Sequence, residues 1–294
     1  MSGITSPALR YHGGKFRMAP WITGFFPPHR CYVEPFGGAA SVLLHKRRSY
    51  AEVYNDLDGD IVNFFRVLRD PAQLEQLVAA CVLTPYAREE FLQAYEHSDA
   101  PVERARRLAI RASMGFGSAG ATRGGTGFRV DTRRKFGTAQ QVWARYPEHL
   151  AAIGQRFTEV LVENRPAIEI IDQHDGSDTL IYADPPYVLS TRDPRASYAN
   201  SGYYRHEMRD VDHIELLQAL LACRGMVAIS GYDNEIYNDM LSGWERHETK
   251  ARISAGRGTA LRMETVWLNP AISEATMPRQ RSFFATKQAA EVEA

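Results

Sequence analysis

The sequence contains little cysteine, and its three thiols, Cys31, Cys81 and Cys223, are far apart. Isolated cysteines exclude a disulfide framework and the paired ligand spacing of a zinc site, so we expect no metal and a reducing, cytoplasmic environment. The chain also lacks an apolar run of about 18 residues, the length that a membrane span needs. Its first residues show no basic segment followed by an apolar core, so we expect no secretory signal.

Net charge is absent overall, because 35 basic residues balance 35 acidic ones, but the distribution is uneven. Between residues 102 and 135, nine basic and two acidic side chains give 9 − 2 = +7, a balance suited to binding a polyanion. We interpret Arg104, Arg106 and Arg107 as a solvated helix face. The loop at residues 115–128 has six glycines, which no regular helix tolerates. From this loop and its flank we select as nucleic-acid contacts Arg123, Thr126, Arg129, Arg133, Arg134 and Lys135.

A strand, a glycine loop and a helix follow one another in residues 31–46, an order typical of nucleotide-binding folds. Glycine lets the backbone approach a ligand closely, and the helix that follows supplies unpaired N–H groups. A second predicted strand ends at Asp56, about 20 residues further on, where a carboxylate can bind both ribose hydroxyls. No Lys-Ser or Lys-Thr pair follows the glycines. This pattern indicates a nucleoside ligand without a triphosphate.

The most informative stretch is Asp184, Pro185, Pro186 and Tyr187, which follows an apolar run at residues 179–183. The amino nitrogen of adenine is a poor nucleophile because its lone pair is delocalised into the ring. A carboxylate and the Pro185 carbonyl can each accept one N–H and localise that pair. The two prolines fix the backbone, and Tyr187 offers a face on which an extruded base can stack. The stretch therefore favours methylation of an amino group over the alternative, an ordinary turn after a strand.

Predicted strands and helices alternate at both ends of the chain but not in its middle. Further strands are predicted at residues 160–162, 180–182, 226–230, 244–249 and 265–268. Asp56 and Asp184 are separated by 127 residues, and the apolar residues between 61 and 116 have a helical period. We therefore predict an α/β catalytic domain formed by residues 1–60 and 160–294, with a mostly helical domain inserted at residues 61–159.

Four motifs occur in one order along the chain: Tyr-His-Gly-Gly-Lys at 11–15, Glu-Pro-Phe-Gly-Gly-Ala-Ala-Ser at 34–41, Asn-Asp at 55–56 and Asp-Pro-Pro-Tyr at 184–187. In this order and spacing the chain resembles the Dam-type (D12 class) DNA adenine-N6 methyltransferases, over nearly its whole length. The resemblance implies a Rossmann-like class I methyltransferase sheet with an inserted target-recognition domain. It also implies double-stranded DNA as substrate, a flipped adenine as target and S-adenosylmethionine as methyl donor.

The same resemblance implies roles for single residues. Tyr11 and Lys15 would contact the methionine part of the cofactor, and Asp56 would hold its ribose. The full set of cofactor residues is Tyr11, Lys15, Glu34, Phe36, Gly37, Asp56 and Asp184. The target adenine would be held by Asp184, Pro185, Pro186 and Tyr187.

Two segments depart from the family pattern. Ala39 and Ala40 stand where members often have glycine, and alanine is small enough that we expect the fold and the cofactor site to survive. The loop at residues 124–127 differs from the pattern of GATC readers, so no GATC specificity is assigned. Methylation of RNA adenine, methylation of cytosine N4 and a non-catalytic DNA-binding role are alternatives. The last of these is disfavoured by the intact residues Lys15, Asp56, Asp184 and Tyr187.

Overall fold

The computed structural model describes residues 4–122, 125–130, 137–192, 204–255 and 258–276. Within them, a seven-stranded sheet has the order β3-β2-β1-β4-β5-β7-β6. The strands are β1 (Cys31–Glu34), β2 (Ala51–Asn55), β3 (Leu161–Glu163), β4 (Thr179–Ala183), β5 (Met226–Gly231), β6 (Glu245–Ala255) and β7 (Gly258–Leu268). β1 pairs in parallel with β2 and β4, whereas β7 is antiparallel to both β5 and β6. This is the α/β arrangement of a class I methyltransferase sheet.

The helices fill the connections between the strands. They are α1 (Ala19–Thr23), α2 (Ser41–His45), α3 (Gly59–Arg69), α4 (Pro71–Leu83), α5 (Arg88–Gln93), α6 (Pro101–Met114), α7 (Ala139–Arg145), α8 (Pro147–Phe157), α9 (Ala167–His174), α10 (Asp210–Ala222) and α11 (Glu235–Met240). Carboxylates cap two of them: Asp58 accepts the amide of Asp60 at the start of α3, and Asp70 accepts the amide of Gln73 in α4. No helix in the described part of the chain is long and apolar enough to span a membrane.

Successive side chains along each strand belong alternately to two hydrophobic clusters, which form two layers of the core. Tyr32 of β1 and Tyr182 of β4 belong to the cluster that includes α3, α4, α6 and α8. Their neighbours Val33 and Ile181 belong to the cluster that includes α9, α10 and α11. Because successive side chains point to opposite faces of a strand, the sheet is covered by helices on both sides.

Residues 61–159 hold α4 to α8 and most of α3, as the helical period predicts. These helices share one core with the sheet: Phe65 of α3 and Phe157 of α8 stack 4.2 Å apart, and Tyr54 of β2 lies 4.9 and 5.4 Å from their rings. The division into a catalytic unit and an inserted unit stays a prediction.

The hairpin of β6 and β7 is longer than the sequence predicts. Strands were expected at residues 244–249 and 265–268, but the two paired strands have 11 residues each and stay in register as far as Ala255 opposite Gly258. The added part of β6 alternates polar and apolar residues from Lys250 to Ala255, and the added part of β7 includes Leu261 and Met263. These residue types suit a strand, and the pairing of β6 with β7 extends along all of them.

The order of the strands reverses between β1 and β4. These two strands lie side by side, but the chain continues from β1 to β2 on one side and from β4 to β5 on the other. In open sheets of this kind, ligands bind in the crevice beyond the carboxyl ends of the strands at such a point. Glu34 ends β1, and Asp184 follows β4 directly. The fold therefore brings the glycine loop and the Asp-Pro-Pro-Tyr segment to one edge of the sheet.

Candidate active site

A cavity of about 600 Å³ lies at the carboxyl ends of β1, β2 and β4. Eight of the residues selected from the sequence line it: Tyr11, Lys15, Glu34, Phe36, Gly37, Asp56, Asp184 and Pro186. Pro185 is buried, and Tyr187 is partly buried beside Lys15. Sequence reasoning missed other lining residues, among them His12, Tyr204 and Arg205. Tyr204 and Arg205 lie in a segment without a strong local pattern, so their positions depend on the tertiary fold, whereas His12 belongs to the motif at residues 11–15 but received no role from it.

The glycine loop after β1 wraps tightly around Tyr54. A Cβ atom added to Gly37 would lie 2.1 Å from Cε2 of Tyr54, and the Tyr54 hydroxyl donates to the carbonyl of Gly38 at 2.7 Å. Gly38 has a φ of +47°, and Ala40 has a φ of +54°. A left-handed conformation costs an ordinary residue about 1–2 kcal/mol, so Ala40 carries a backbone strain that glycine would not. The loop retains its shape despite the alanine.

Asp56 holds this loop in place. One carboxylate oxygen accepts the amide of Gly38 at 2.7 Å, and the other accepts the amide of Asp58 at 2.8 Å. Burial raises the pKa of Asp56 to about 6, although these hydrogen bonds lower it. The carboxylate therefore orders the backbone as well as lining the cavity.

Glu34 is buried, with 2% of its surface exposed. Its Oε2 accepts the Tyr32 hydroxyl at 2.8 Å and the amide of Leu43 at 3.0 Å. Burial raises the pKa of Glu34 to about 8, against the effect of these two donors. The side chain is therefore mostly protonated at neutral pH, and it ties β1 to α2.

Asp184 is held by two donors on one oxygen. Ser230 of β5 donates to Oδ1 at 2.7 Å, and Nζ of Lys15 lies 3.0 Å from the same atom. Oδ2 accepts no hydrogen bond from the residues that the structure describes. Lys15 is buried and also donates to the carbonyl of Gly13 at 2.8 Å. Burial opposes its charge, but Asp184 and Glu264 hold the pKa of Lys15 above its ordinary value.

Tyr187 is fixed from several sides. Its hydroxyl donates to Oε2 of Glu264 in β7 at 2.6 Å. Its ring meets that of Tyr232 edge-on at 4.5 Å, and Nζ of Lys15 lies 4.7 Å from the ring centre. Burial, followed by the charges of Glu264 and Asp184, raises the pKa of Tyr187 well above its ordinary value. The phenol is therefore a hydrogen-bond donor at neutral pH.

The far wall of the cavity is tied to α3. The Tyr204 hydroxyl donates to the carbonyl of His12 at 3.3 Å. Nη1 of Arg205 lies 3.2 Å from Oδ1 of Asp58 and 2.7 Å from Oδ2 of Asp60. The segment after the Asp-Pro-Pro-Tyr stretch is thus anchored across the cavity to the residues that follow β2.

The candidates for nucleic-acid binding do not form one described surface. Thr126 is buried with its hydroxyl 3.1 Å from that of Tyr95, and Arg129 is also buried. Arg123, Arg133, Arg134 and Lys135 lie outside the described residues.

The arginines of α6 are paired with acids. Arg104 lies 2.6 Å from Asp60, and Glu103 bridges Arg106 and Arg107 at 2.7 Å each. These three arginines therefore belong to ion pairs of the fold, and Arg106 and Arg107, each with 18% of the side chain exposed, are less solvated than a solvated helix face would be.

Comparison with known proteins identifies the family of the chain. The model of the D12 class N6 adenine-specific DNA methyltransferase family matches residues 11–254. A DNA adenine methylase of Vibrio cholerae is 26% identical over 263 residues, covering 86% of this chain and 90% of the relative. The DNA adenine methylase of Haemophilus influenzae is 22% identical over 273 residues, covering 88% of this chain and 90% of the relative. That of Escherichia coli K12 is 22% identical over 265 residues, covering 87% of this chain and 92% of the relative.

The matched region runs from Tyr11, at the cavity, through the glycine loop and the Asp-Pro-Pro-Tyr segment, and into β6. The residues that surround the cavity, except Glu264 in β7, therefore fall within the shared part of the sequence. The chain belongs to the D12 class of N6 adenine-specific DNA methyltransferases.

Proposed function

We propose that this methyltransferase transfers a methyl group from S-adenosylmethionine to the N6 amine of an adenine flipped out of a short, specific site in duplex DNA. The observation that carries the proposal is the setting of Asp184. Ser230 and Lys15 fix its carboxylate through Oδ1, Oδ2 is left without a hydrogen bond from the described residues, and Asp184 lines the cavity. An acceptor held in this way suits an amino group that must be oriented before it reacts.

The cavity fits the cofactor in size and chemistry. Its volume of about 600 Å³ lies in the range usual for sites that enclose a small molecule. Tyr11 and Phe36 offer aromatic faces and Asp56 and Asp184 offer carboxylates, which favour a sulfonium cation. S-adenosylmethionine supplies the electrophilic methyl group when it is bound, and it leaves as S-adenosylhomocysteine. The glycine loop, held by Asp56 and Tyr54, would border the amino-acid part.

The residues around Asp184 would activate the amine. Asp184 accepts one N6–H and the carbonyl of Pro185 accepts the other, so the nitrogen lone pair is localised and directed at the methyl group. The same acceptors stabilise the positive charge that develops on nitrogen. The N6 proton is then lost to water or to Asp184. Tyr187 would stack on the base, and positioning of the two reactants supplies most of the rate.

The alternatives are weaker on the available observations. Methylation of RNA or of cytosine N4 uses the same acceptor pair, but the family that matches residues 11–254 is specific for adenine in DNA. A non-catalytic role would not require the buried ion pair of Lys15 with Asp184. The balance therefore favours a catalytic protein that acts on DNA.

The proposal is tested by transfer of a tritiated methyl group. The protein is incubated with labelled S-adenosylmethionine and unmethylated duplex DNA, duplex RNA or single strands, and the labelled nucleoside is identified after digestion. We expect N6-methyladenine from duplex DNA. Asp184→Asn should lower kcat by at least about 100-fold, because it removes a charged acceptor from the transition state.

The matched control is Asp233→Asn, at an exposed aspartate outside the cavity lining, which should retain wild-type activity. Label in cytosine or in RNA would replace the substrate that we propose. Full activity of Asp184→Asn would refute the role of the carboxylate.

A further inference from the structure

Glu264 is a buried carboxylate in a strand. It lies in β7 with 5% of its surface exposed, close to the apolar Val266 and Trp267, which are also buried. A charged side chain is costly to bury unless it has partners. Glu264 has one at short range, since the Tyr187 hydroxyl donates to its Oε2 at 2.6 Å.

Glu264 also interacts with the charged groups beside the cavity. Its carboxylate contributes to the elevated pKa of Lys15, and Lys15 in turn opposes the effect of burial, which raises the pKa of Glu264. Lys15 thus interacts with two carboxylates, Asp184 in the cavity lining and Glu264 behind it. These interactions connect β7 to the segment that follows β4, although the two are far apart in sequence.

The ring of Tyr187 has few ways to move while this contact holds. Tyr232 meets the ring edge-on at 4.5 Å, and Lys15 lies 4.7 Å from its centre. These contacts restrain the body of the ring, whereas Glu264 restrains its hydroxyl end. Without an acceptor at that end, the ring can swing about its Cα–Cβ bond, which displaces the hydroxyl, and slide along Tyr232.

We propose that Glu264 is a positioning residue for methyl transfer, which accepts the Tyr187 hydroxyl and so fixes the ring on which the target adenine stacks. The inference rests on the function proposed above, because it assigns the stacking face to Tyr187. Glu264 does not touch the substrate in this account. It acts through the orientation of the tyrosine ring.

The test compares four variants: Glu264→Leu, Glu264→Gln, Tyr187→Phe and the double variant Tyr187→Phe/Glu264→Leu. Once the methylated site has been mapped, kcat and KM are measured with duplex DNA at saturating S-adenosylmethionine. Cofactor affinity is measured by calorimetry, and folding by thermal melting. Glu235→Gln, at an exposed position of α11, serves as the matched control.

We expect Glu264→Leu to lower kcat about tenfold, because a small misplacement of a positioned group is costly for a reaction that depends on proximity. Glu264→Gln should recover most of this loss, since its amide oxygen can still accept the hydroxyl. Tyr187→Phe should match Glu264→Leu, and the double variant should be no slower than either. Affinity for the cofactor should stay within about twofold of the wild type in all four, because the contact acts on the target base.

A folded Glu264→Leu with wild-type kcat would overturn the inference, as would a double variant whose losses multiply. If Glu264→Leu does not fold, Tyr187→Phe and Glu264→Gln still decide the question: an unchanged kcat in Tyr187→Phe would show that the hydroxyl contact is irrelevant. Failure of the proposed function itself gives a different result, in which the wild type places no label in adenine.

Discussion

Replacing Gly37 by alanine should damage the protein more than any other single methyl group added to the glycine loop. The new Cβ would lie 2.1, 2.5 and 2.7 Å from three ring atoms of Tyr54. The shortest contact must open by about 1.4 Å to reach an ordinary carbon–carbon separation of about 3.5 Å. The ring cannot retreat, because it is fully buried against Phe65 and Phe157 at 4.9 and 5.4 Å.

The expected cost lies at the upper end of the range for overpacking, about 3 kcal/mol of unfolding free energy. For a chain of this size, such a loss lowers the melting temperature by about 6 °C. A shift of the Tyr54 ring also breaks its hydrogen bond to the Gly38 carbonyl. Cofactor affinity should therefore fall by up to about tenfold, the equivalent of one such bond.

The assay is thermal melting with and without S-adenosylmethionine, together with calorimetric titration of the cofactor. The matched control is Gly243→Ala, because a Cβ at Gly243 meets nothing within 4 Å. The control should melt and bind as the wild type does. If Gly37→Ala did the same, the loop would have to relax freely around Tyr54, and the packing argument would be refuted.

Three further predictions concern charged residues. Burial raises the pKa of Glu34 from an ordinary 4.5 to about 8, so the stability that its proton confers is present at low pH and is lost as pH rises toward 8. Glu34→Gln should therefore gain in melting temperature over the wild type as pH is raised from 5 to about 8.5. A difference in melting temperature that stays constant with pH would contradict this. Arg106→Gln should lower the unfolding free energy by about 1 kcal/mol, because it breaks the ion pair with Glu103. The same variant should leave the salt dependence of DNA binding unchanged, whereas a weaker dependence of affinity on salt would place Arg106 on a phosphate. Arg205→Gln breaks the contact with Asp60 across the cavity. In stopped-flow measurements it should raise the rate of cofactor dissociation, although by less than about tenfold. An unchanged rate would show that this contact does not retain the cofactor.

Most of the cavity was predictable because its main residues follow strands. Glu34, Asp56 and Asp184 each lie at or just beyond the carboxyl end of a parallel strand, and such ends meet at one edge of a sheet. The apolar runs locate the strands, and the motifs after them carry the chemistry. A local pattern was therefore enough to bring residues together that are distant in sequence.

The rest of the site depends on tertiary contacts. An acidic residue ordinarily indicates a solvent-facing position, yet the side chain of Glu264 is buried against Tyr187 in the folded sheet. Tyr204 and Arg205 come from a segment without a periodic pattern, and their ties to His12 and Asp60 are set by the fold.

The order of the strands also bears on when the sheet can be completed. β6 precedes β7 in the chain, but β7 lies between β5 and β6 in the sheet, so β6 has no place in the sheet until β7 has been made. Glu264 arrives with that same strand, and with it the contact that fixes Tyr187. Pairings of this range form late and slowly. A chain that lacks β7 therefore has neither the closed sheet nor the contact between Glu264 and Tyr187.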